Sequence, residues 1–182
     1  MSYDLWGRLR YMLSPQFDIY EQVAKVVHGK VADIGCGTGF GTHLFARNAK
    51  VDGYEIDETA RDFAQRAFSN GKVRFFEGDI IEISKMGFRY DFVTMIDVIE
   101  HISNHVAAIK SCKRLLDKNG TFICSTPNRL SRYRKSKYHV REYSPVELLQ
   151  LLESVFDEVS LVDFELKPSE SDYTNPIVAI CV

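Results

Sequence analysis

The sequence predicts an α/β fold in which a seven-stranded, mostly parallel sheet lies between two layers of helices. Short apolar runs alternate with segments whose apolar residues recur at helical spacing along most of the 182-residue chain. Alternating glycines follow the first apolar run, where an open parallel sheet commonly has its binding loop. The last two strand-like runs have no helix between them, so we expect the last strand to be antiparallel to the others.

Composition and charge describe one globular domain over residues 1–182, with 45% hydrophobic and 26% charged residues and a net charge of −2. The four cysteines form no C-x-x-C pair, so we expect them to be reduced, in a cytoplasmic protein. No apolar run approaches the roughly 20 residues of a membrane span, and no segment resembles a signal peptide. We expect a monomer or a homodimer.

The first 29 residues are predicted to form an arm and a helix ahead of a core that we place at 30–182. Apolar residues recur at helical spacing from about Pro15 to Val27, which favours a helix packed on the sheet. The upstream residues either form an irregular arm or cover one end of the binding site. They include Trp6, Arg8, Arg10 and Tyr11.

The segment Val31–Gly41 combines the predicted first strand with a glycine loop. Its strand is apolar apart from Asp33, and glycine then occupies every second position before Thr42–Arg47, which we interpret as a helix. A strand, glycine loop and helix in this order bring backbone N–H groups and a positive helix end towards a bound cofactor. The spacing excludes the dinucleotide fingerprint G-x-G-x-x-G, because Phe40 stands where its third glycine would be.

The later elements follow in alternation. We predict the third strand and its exit loop at Val73–Ile80, and a serine-capped helix that begins at Ser144 and buries Leu148, Leu149, Leu151 and Leu152. The helix over about Glu58–Phe68 should carry Ala60, Phe63, Ala64 and Ala67 on one face. The other predicted elements are the strands Val51–Glu55, Tyr90–Asp97, Thr121–Ser125, Glu158–Leu166 and Ile177–Val182 and a helix from about Asn104 to Leu116 that Asn119–Gly120 stops.

Acidic residues follow three of the predicted parallel strands. The carboxyl ends of parallel strands meet at one edge of the sheet, where open α/β folds bind their ligands. Glu55 lies sixteen residues after Gly39, close to the spacing of about 20 expected for an acid that accepts from two ribose hydroxyls. Asp57 is an alternative for that role. Asp79 and Asp97 complete the set.

The segment Asp33-Ile-Gly-Cys-Gly-Thr-Gly39 resembles the first motif of class I S-adenosylmethionine-dependent methyltransferases. Asp97-Val-Ile-Glu-His101 and Ser125-Thr-Pro-Asn128 are similar to segments of the branch that includes the ubiquinone-biosynthesis O-methyltransferases and type 11 methyltransferases. The resemblance implies a Rossmann-like three-layer fold and an enzyme that uses S-adenosylmethionine and releases S-adenosylhomocysteine.

The resemblance also implies roles for individual residues. The family's ribose-binding acid lies two residues after a strand glycine such as Gly53, which selects Glu55. The adenine site corresponds to Asp79, which accepts from the exocyclic amine, and to the N–H of Ile80, which reaches a ring nitrogen. The cofactor-binding set is therefore predicted to be Asp33, Gly35, Gly37, Gly39, Glu55, Ile56, Asp79, Ile80 and Asp97.

His101 is the predicted catalytic base, because a histidine with an ordinary pKa of about 6.5 takes up a proton near neutral pH. The alternative is that His101 only braces the following helix. Asp97, Glu100 and His101, with His105 or His139, also resemble the metal cluster of some ubiquinone O-methyltransferases and of RNA 3′-terminal 2′-O-methyltransferases. Most chains with such a segment need no metal, so we predict none.

The segment Asn128–Arg141, named here the basic segment, carries six cationic residues and no acid: Arg129, Arg132, Arg134, Lys135, Lys137 and Arg141. Because it follows the fifth strand, we expect it to form a lid over the acceptor, unless it is a solvated loop. The sequence therefore predicts O-methylation of a small acidic metabolite. RNA 2′-O-methylation at a metal-assisted site and a non-catalytic cofactor-binding module are the alternatives.

Overall fold

A computed structural model describes residues 14–131, 136–163, 165–168 and 175–182. Within these residues, seven strands form one sheet in the order β3-β2-β1-β4-β5-β7-β6. The strands are β1 Gly29–Ile34, β2 Ala49–Glu55, β3 Val73–Glu77, β4 Tyr90–Ile96, β5 Leu116–Thr126, β6 Val159–Val162 and β7 Ile177–Cys181. The helices are α1 Pro15–Val26, α2 Thr42–Phe45, α3 Glu58–Phe68, α4 Ile80–Ile83, α5 His105–Leu115 and α6 Pro145–Glu153, with a 3-10 turn at Ile99–His101.

The sheet confirms the predicted fold class. Strands β1 to β5 pair in parallel, whereas β7 lies antiparallel between β5 and β6. The strand order reverses at β1, which lies between β2 and β4. In open α/β sheets this reversal leaves a crevice at the carboxyl ends of the strands, and ligands bind there.

Two apolar clusters cover the two faces of the sheet. One contains Ile109 and Leu115 of α5 with Leu148 of α6, and the other contains Ile19 and Val23 of α1. These residues are fully buried, so the helices form a layer on each face. No helix in the described part of the chain is long and apolar enough to span a membrane.

Helix α1 confirms the prediction for Pro15–Val27 to within one residue. The Ser14 hydroxyl caps it by accepting from the Phe17 N–H at 3.3 Å, and proline occupies the first position, where no N–H is needed. The predicted arm residues Trp6, Arg8, Arg10 and Tyr11 lie outside the described residues, as does the part of the basic segment at 132–135.

Strand β5 is longer than predicted, and this is the largest boundary error. Helix α5 ends at Leu115 and β5 begins at Leu116, so Asn119 and Gly120 lie inside a strand instead of stopping the helix. The pairing register with β4 shifts here, and a Cβ on Gly120 would lie 3.0 Å from the Tyr90 carbonyl oxygen. Glycine thus permits a close backbone approach at this irregularity.

Four smaller expectations also differ from the structure. The helix after the glycine loop is one turn and does not continue to Arg47, and β6 ends at Val162 rather than Leu166. Ala67 on α3 is exposed, because Ala60 and Ala64 alone of that helix turn fully towards the sheet. In α6, Leu149 and Leu151 are only partly buried. The four cysteines are free and buried, as expected.

Candidate active site

A cleft of about 280 Å³ opens at the carboxyl ends of the central parallel strands, where the strand order reverses. It brings together residues that follow β1, β2, β3 and β4. The lining residues are Ile34, Gly35, Tyr54, Glu55, Ile56, Gly78, Asp79, Ile80, Asp97, Val98, His101 and Ile102. The predicted site residues are among them, except for Asp33, Gly37 and Gly39.

The carboxylate of Glu55 is held at the end of β2 by two backbone donors. Oε2 accepts from the Gly37 N–H at 2.8 Å, and Oε1 accepts from the Asp57 N–H at 2.9 Å. Each oxygen keeps a lone pair that can accept from a ligand hydroxyl. The alternative acid, Asp57, caps α3 by accepting from the Ala60 N–H at 2.7 Å. The geometry therefore favours Glu55 over Asp57 as a ligand-binding acid.

The N–H groups of the glycine loop are largely used within the protein. Gly35 and Cys36 donate to the Tyr54 carbonyl at 2.8 and 3.1 Å, and Gly39 donates to the Cys36 carbonyl at 3.0 Å. The expectation that these N–H groups face a cofactor is thus wrong for Gly35, Cys36 and Gly39. The loop therefore shapes the wall of the site and holds the Glu55 carboxylate in place, and it does not offer a row of free backbone donors.

Glycine is needed at two positions of the loop for different physical reasons. Both Gly37 and Gly39 have positive φ angles, of 55° and 76°. A Cβ on Gly39 would lie 2.7 Å from the Phe75 ring, so glycine there permits internal packing. Within the described part of the chain, a Cβ on Gly37 would meet no atom closer than 4 Å. Gly37 therefore leaves open space beside Glu55, as a site for a bound group requires.

Asp33 lies beneath the loop, fully buried and outside the cleft lining. Its carboxylate accepts from the hydroxyls of Thr42 at 2.6 Å, Thr94 at 2.7 Å and Tyr20 at 3.2 Å. Burial raises the pKa of Asp33 to about 6, against the effect of the three hydroxyl donors. These bonds join α1, α2 and β4, so the position of Asp33 supports an anchoring role.

The third strand contributes Asp79 and Ile80. Asp79 is exposed and caps α4, with Oδ1 accepting from the Ile81 N–H at 2.8 Å. The side chain of Ile80 is buried in the core, so only its backbone can serve the cleft. Ile56, which follows β2, is 72% exposed and offers the cleft an apolar surface.

Asp97 follows β4 in a backbone conformation that is rare for a residue with a side chain. Its φ is 52°, and the strain is held by Ser125, which donates from Oγ to Asp97 Oδ1 at 2.5 Å. The Asp97 N–H in turn donates to the Ser125 carbonyl at 3.1 Å. Burial raises the pKa of Asp97. The carboxylate is thus fixed in the cleft beside His101.

His101 is exposed at the cleft, and its ring orientation is defined. Nδ1 lies 3.0 Å from the Tyr138 carbonyl oxygen, which only accepts, so Nδ1 carries the proton and Nε2 is left as an acceptor. Nε2 lies 3.9 Å from Oε1 of Glu100, too far for a hydrogen bond. Burial and the Asp97 carboxylate raise the pKa of Glu100 to about 8, so it holds a proton at neutral pH.

The far end of the basic segment is hydrogen-bonded to the turn that carries His101. The N–H groups of Val140 and Arg141 donate to the Glu100 carbonyl at 2.9 and 3.2 Å. This contact brings the ring of His139 to 5.0 Å from that of His101. The sequence left His105 and His139 as equal alternatives, and the structure selects His139, since His105 packs against Tyr143 instead.

Glu100, His101 and His139 form a group whose candidate ligand atoms all lie within 4.8 Å of one another. Nδ1 of His139 lies 3.4 Å from Oε1 of Glu142, a residue that sequence reasoning missed. Each histidine thus has Nδ1 beside an acceptor and Nε2 available, which is the arrangement of metal-bound histidines. A carboxylate and two imidazoles fit a divalent transition metal, provided that Glu100 loses its proton.

Only part of the basic segment has a described environment. Arg129 is paired with Glu147 at 3.2 Å, so its charge is largely neutralised. The cationic groups of Lys137 and Arg141 lie over the rings of Tyr138 and Tyr143. Lys137, Tyr138 and Arg141 are exposed near His101 and can meet an incoming molecule.

Comparison with known proteins identifies the kind of domain. A family model described as a methyltransferase domain matches residues 8–162. A probable S-adenosylmethionine-dependent methyltransferase of Mycolicibacterium smegmatis is 30% identical over 148 residues, covering 78% of this chain and 57% of that protein. A ubiquinone biosynthesis O-methyltransferase of Haemophilus ducreyi is 30% identical over 129 residues, covering 65% and 55%. The chain spans about half the length of the curated relatives that it matches.

Solved structures share the fold at low sequence identity. An S-adenosylmethionine-dependent methyltransferase from Archaeoglobus fulgidus superposes with a TM-score of 0.74 at 18% identity, covering 98% of each chain. A structure described as a DhpI–SAH complex superposes with a TM-score of 0.73 at 17% identity, covering 96% of this chain and 86% of that one. At such identities these likenesses establish the architecture alone.

Proposed function

Because this chain belongs to the family of S-adenosylmethionine-dependent methyltransferases, we propose that its cleft holds S-adenosylmethionine and that it methylates an oxygen of a small anionic acceptor. The observation that carries the proposal is that one cleft joins Glu55 and Asp79 to His101. Two carboxylates suit the hydroxyl and amine donors of a nucleoside, and the histidine suits proton removal from an acceptor.

Each proposed cofactor-binding role is supported by a contact in the cleft or by the open space beside Gly37. Glu55 accepts from both ribose hydroxyls, since its two oxygens are already oriented by backbone donors. Asp79 uses Oδ1 as a helix cap, and we assign its other oxygen to the adenine amine. The N–H of Ile80 donates to an adenine ring nitrogen beside the exposed Ile56. The space beside Gly37 takes the methionine part.

His101 is proposed as the base for the acceptor hydroxyl. S-adenosylmethionine supplies an electrophilic methyl group and leaves as the neutral thioether S-adenosylhomocysteine. Nε2 of His101 takes the hydroxyl proton, because the Tyr138 carbonyl keeps the other ring proton on Nδ1. Alignment of donor and acceptor in the cleft supplies roughly 7–11 kcal/mol of the barrier reduction, and a positioned base adds about 10²- to 10⁴-fold in rate.

The preference for an anionic oxygen acceptor rests on two supports. Lys137 and Arg141 expose positive charge on the segment that is hydrogen-bonded to Glu100. Relatives of this chain include proteins described as ubiquinone biosynthesis O-methyltransferases. Both supports favour an acidic hydroxyl compound of small size.

A second candidate is methylation assisted by a divalent metal at Glu100, His101 and His139. The specific observation in its favour is the clustering of the three side chains with Nδ1 of each histidine beside an acceptor. A metal there would bind and polarise the acceptor hydroxyl, and His101 would then be a ligand instead of a base. RNA 2′-O-methylation belongs to this candidate.

An acceptor screen tests the proposal. The purified chain is incubated with methyl-labelled S-adenosylmethionine and a panel of phenols, hydroxy acids, phosphorylated sugars and short RNAs, with and without a chelator. We expect label transfer to a small acidic hydroxyl compound, unchanged by the chelator. Loss of transfer with the chelator would favour the metal-assisted candidate. Binding of S-adenosylmethionine without transfer to any acceptor would favour a non-catalytic module.

A further inference from the structure

We propose that the amino-terminal edge of the sheet carries a second binding site, for an anion with two or more linked phosphate groups. The site consists of Lys30, Lys50 and Lys72, named here the lysine row. It lies at the opposite edge of the sheet from the cleft, because these residues stand at or before the starts of β1, β2 and β3. It uses no residue assigned to the cofactor or acceptor.

The three lysines form a row because of the strand register. Lys30 pairs directly with Lys50 across β1 and β2. Val51 pairs with Val73, and its N–H donates to the Lys72 carbonyl at 2.8 Å, which places Lys72 next in the row. Directly opposed residues on neighbouring strands share one face of a sheet, at a spacing of roughly 4.8 Å. The row thus begins from three backbone positions spread over about 10 Å.

The charges around the row leave a positive surplus. A hollow of about 310 Å³ is lined by Lys30, Lys50, Asp52, Gly71, Lys72 and Arg74, and an adjoining hollow shares the three lysines and includes Asp91. Asp52 is occupied by Arg74, which donates to it twice, at 2.9 and 3.1 Å. Asp91 accepts from the backbone N–H of Lys30 at 2.7 Å. Four cations therefore face two carboxylates, both already bonded.

The positive charges of the lysine row repel one another, and a bound anion would reduce this repulsion. Like charges directly opposite each other on neighbouring strands destabilise a sheet. Lysines often protect an exposed edge strand from pairing with another chain, but Lys30 and Lys50 belong to the interior strands β1 and β2. Protection of an edge strand therefore does not explain these two lysines, whereas a role in binding an anion would explain them.

The chemistry of the row suits linked phosphates. Each ammonium group offers three donors around a compact charge, which suits the several oxygens of a phosphate group. Lys72 spends one donor on the Ala46 carbonyl at 3.1 Å and keeps the others. A row of three charges matches a linear anion better than a single phosphate ion. A free polyphosphate and the backbone of a nucleic acid share this chemistry.

The test is calorimetric titration of the full chain with inorganic tripolyphosphate, orthophosphate and a short single-stranded oligonucleotide. We expect tripolyphosphate to bind, and Lys50→Gln to weaken that binding by about tenfold or more. Lys110→Gln, an exposed lysine on α5, is the matched control and should change it less than about twofold. If the oligonucleotide binds more tightly than tripolyphosphate and Lys50→Gln weakens it equally, a nucleic-acid backbone is the source.

Thermal melting shows whether a change in binding comes from a folding defect. Lys50→Gln should melt at the same or a higher temperature than the unmodified chain, because it removes like-charge repulsion, and tripolyphosphate should raise its melting temperature less. Equal binding by Lys50→Gln, Lys110→Gln and the unmodified chain would overturn the proposal. Equal binding of orthophosphate and tripolyphosphate would do the same. Binding of S-adenosylmethionine, unaffected by either variant, is scored separately.

Discussion

The N–H of Gly37 donates to Oε2 of Glu55 across 2.8 Å, so the glycine loop and the end of β2 hold each other in place. This single bond joins two features that the sequence separates by seventeen intervening residues. It also explains why the open space beside Gly37 and the carboxylate of Glu55 belong to one site.

Replacing Gly37 by valine should abolish binding of S-adenosylmethionine. The valine side chain would project into space that none of the residues described by the structure approaches within 4 Å, and we assign that space to the cofactor. Gly87→Val is the matched control, because Gly87 also has a positive φ, of 77°, and open surroundings. Both variants should lose stability to a similar extent through backbone strain.

Isothermal calorimetry and thermal melting separate the two effects. Unmodified chain and Gly87→Val should bind S-adenosylmethionine with a micromolar Kd, which corresponds to about −8 kcal/mol, and Gly37→Val should not bind. Binding that survives in Gly37→Val would place the cofactor elsewhere.

Replacing His101 by alanine distinguishes a base from a metal ligand. If Nε2 of His101 takes the acceptor proton, the variant should lose about 10²- to 10⁴-fold in kcat with little change in the affinity for S-adenosylmethionine. His105→Ala, with its ring against Tyr143, is the control and should keep its activity. Steady-state kinetics and calorimetry measure the two quantities.

A chelator decides between the two roles of His101. A base predicts no response to chelation, whereas a ligand predicts that chelation reproduces the His101→Ala defect and that Mn²⁺ or Mg²⁺ reverses it in the unmodified enzyme. Full activity of His101→Ala, with and without chelator, would exclude both roles.

Asp33 should make stability depend on pH in a defined direction. Burial raises its pKa from 3.8 to about 6, so between these values the folded chain keeps a proton that the unfolded chain releases. The proton bound to Asp33 stabilises the folded chain fully below about pH 3.8, and this stabilisation is lost as the pH rises through about 6. At 1.4 kcal/mol per pKa unit the loss is of the order of 3 kcal/mol.

The measurement compares unfolding of the unmodified chain and of Asp33→Asn in denaturant at several pH values. The difference in free energy of unfolding should fall across the interval from about pH 4 to 6 and be constant above it. A difference that does not vary with pH would show that Asp33 does not bind a proton in this range.

Reversing the charge of Lys137 and Arg141 should weaken binding of the acceptor and leave binding of the cofactor unchanged. These residues lie on the segment bonded to Glu100, whereas Glu55 and Asp79 form the proposed cofactor side. The double glutamate variant should raise the KM of an anionic acceptor by about tenfold and leave the Kd of S-adenosylmethionine within about twofold. Lys110→Glu is the control. Unchanged kinetics with every acceptor would make the segment a solvated loop.

The salt dependence of acceptor affinity distinguishes a small anionic acceptor from RNA. Each single-strand phosphate contact should contribute about −0.7 to the slope of log affinity against log salt. A small anion should show a much shallower slope.

Most of the fold follows from local sequence patterns. Strands buried on both faces appear as apolar runs, and Ser14 and Ser144 mark helix starts through hydrogen bonds within one turn. The extension of β5 was missed because it depends on the close approach of Gly120 to the Tyr90 backbone, thirty residues away in the chain. Such long-range contacts leave no periodic signal.

The candidate site shows the same division. Glu55 was predicted from its place at a strand end and Asp79 from the family resemblance. Both lie at the edge where the parallel strands terminate, which topology fixes. The neighbourhood of His101 could not be predicted, because it depends on the hydrogen bonds that Val140 and Arg141 donate to the Glu100 carbonyl. That contact brings His139 and Glu142 to the group, while His105 packs against Tyr143 instead. The anchoring of Asp33 beneath the loop likewise needed Tyr20 of α1.

The most direct test of the central claim is calorimetric titration of S-adenosylhomocysteine into the unmodified chain, Glu55→Ala and Glu77→Ala. Glu77 pairs with Glu55 in the sheet and ends β3 as Glu55 ends β2, but it does not line the cleft. Loss of two charge-assisted hydrogen bonds should weaken binding to Glu55→Ala by about 100-fold. Binding to Glu77→Ala should match that of the unmodified chain. Equal affinities for all three proteins would contradict the assignment of this cleft to the cofactor.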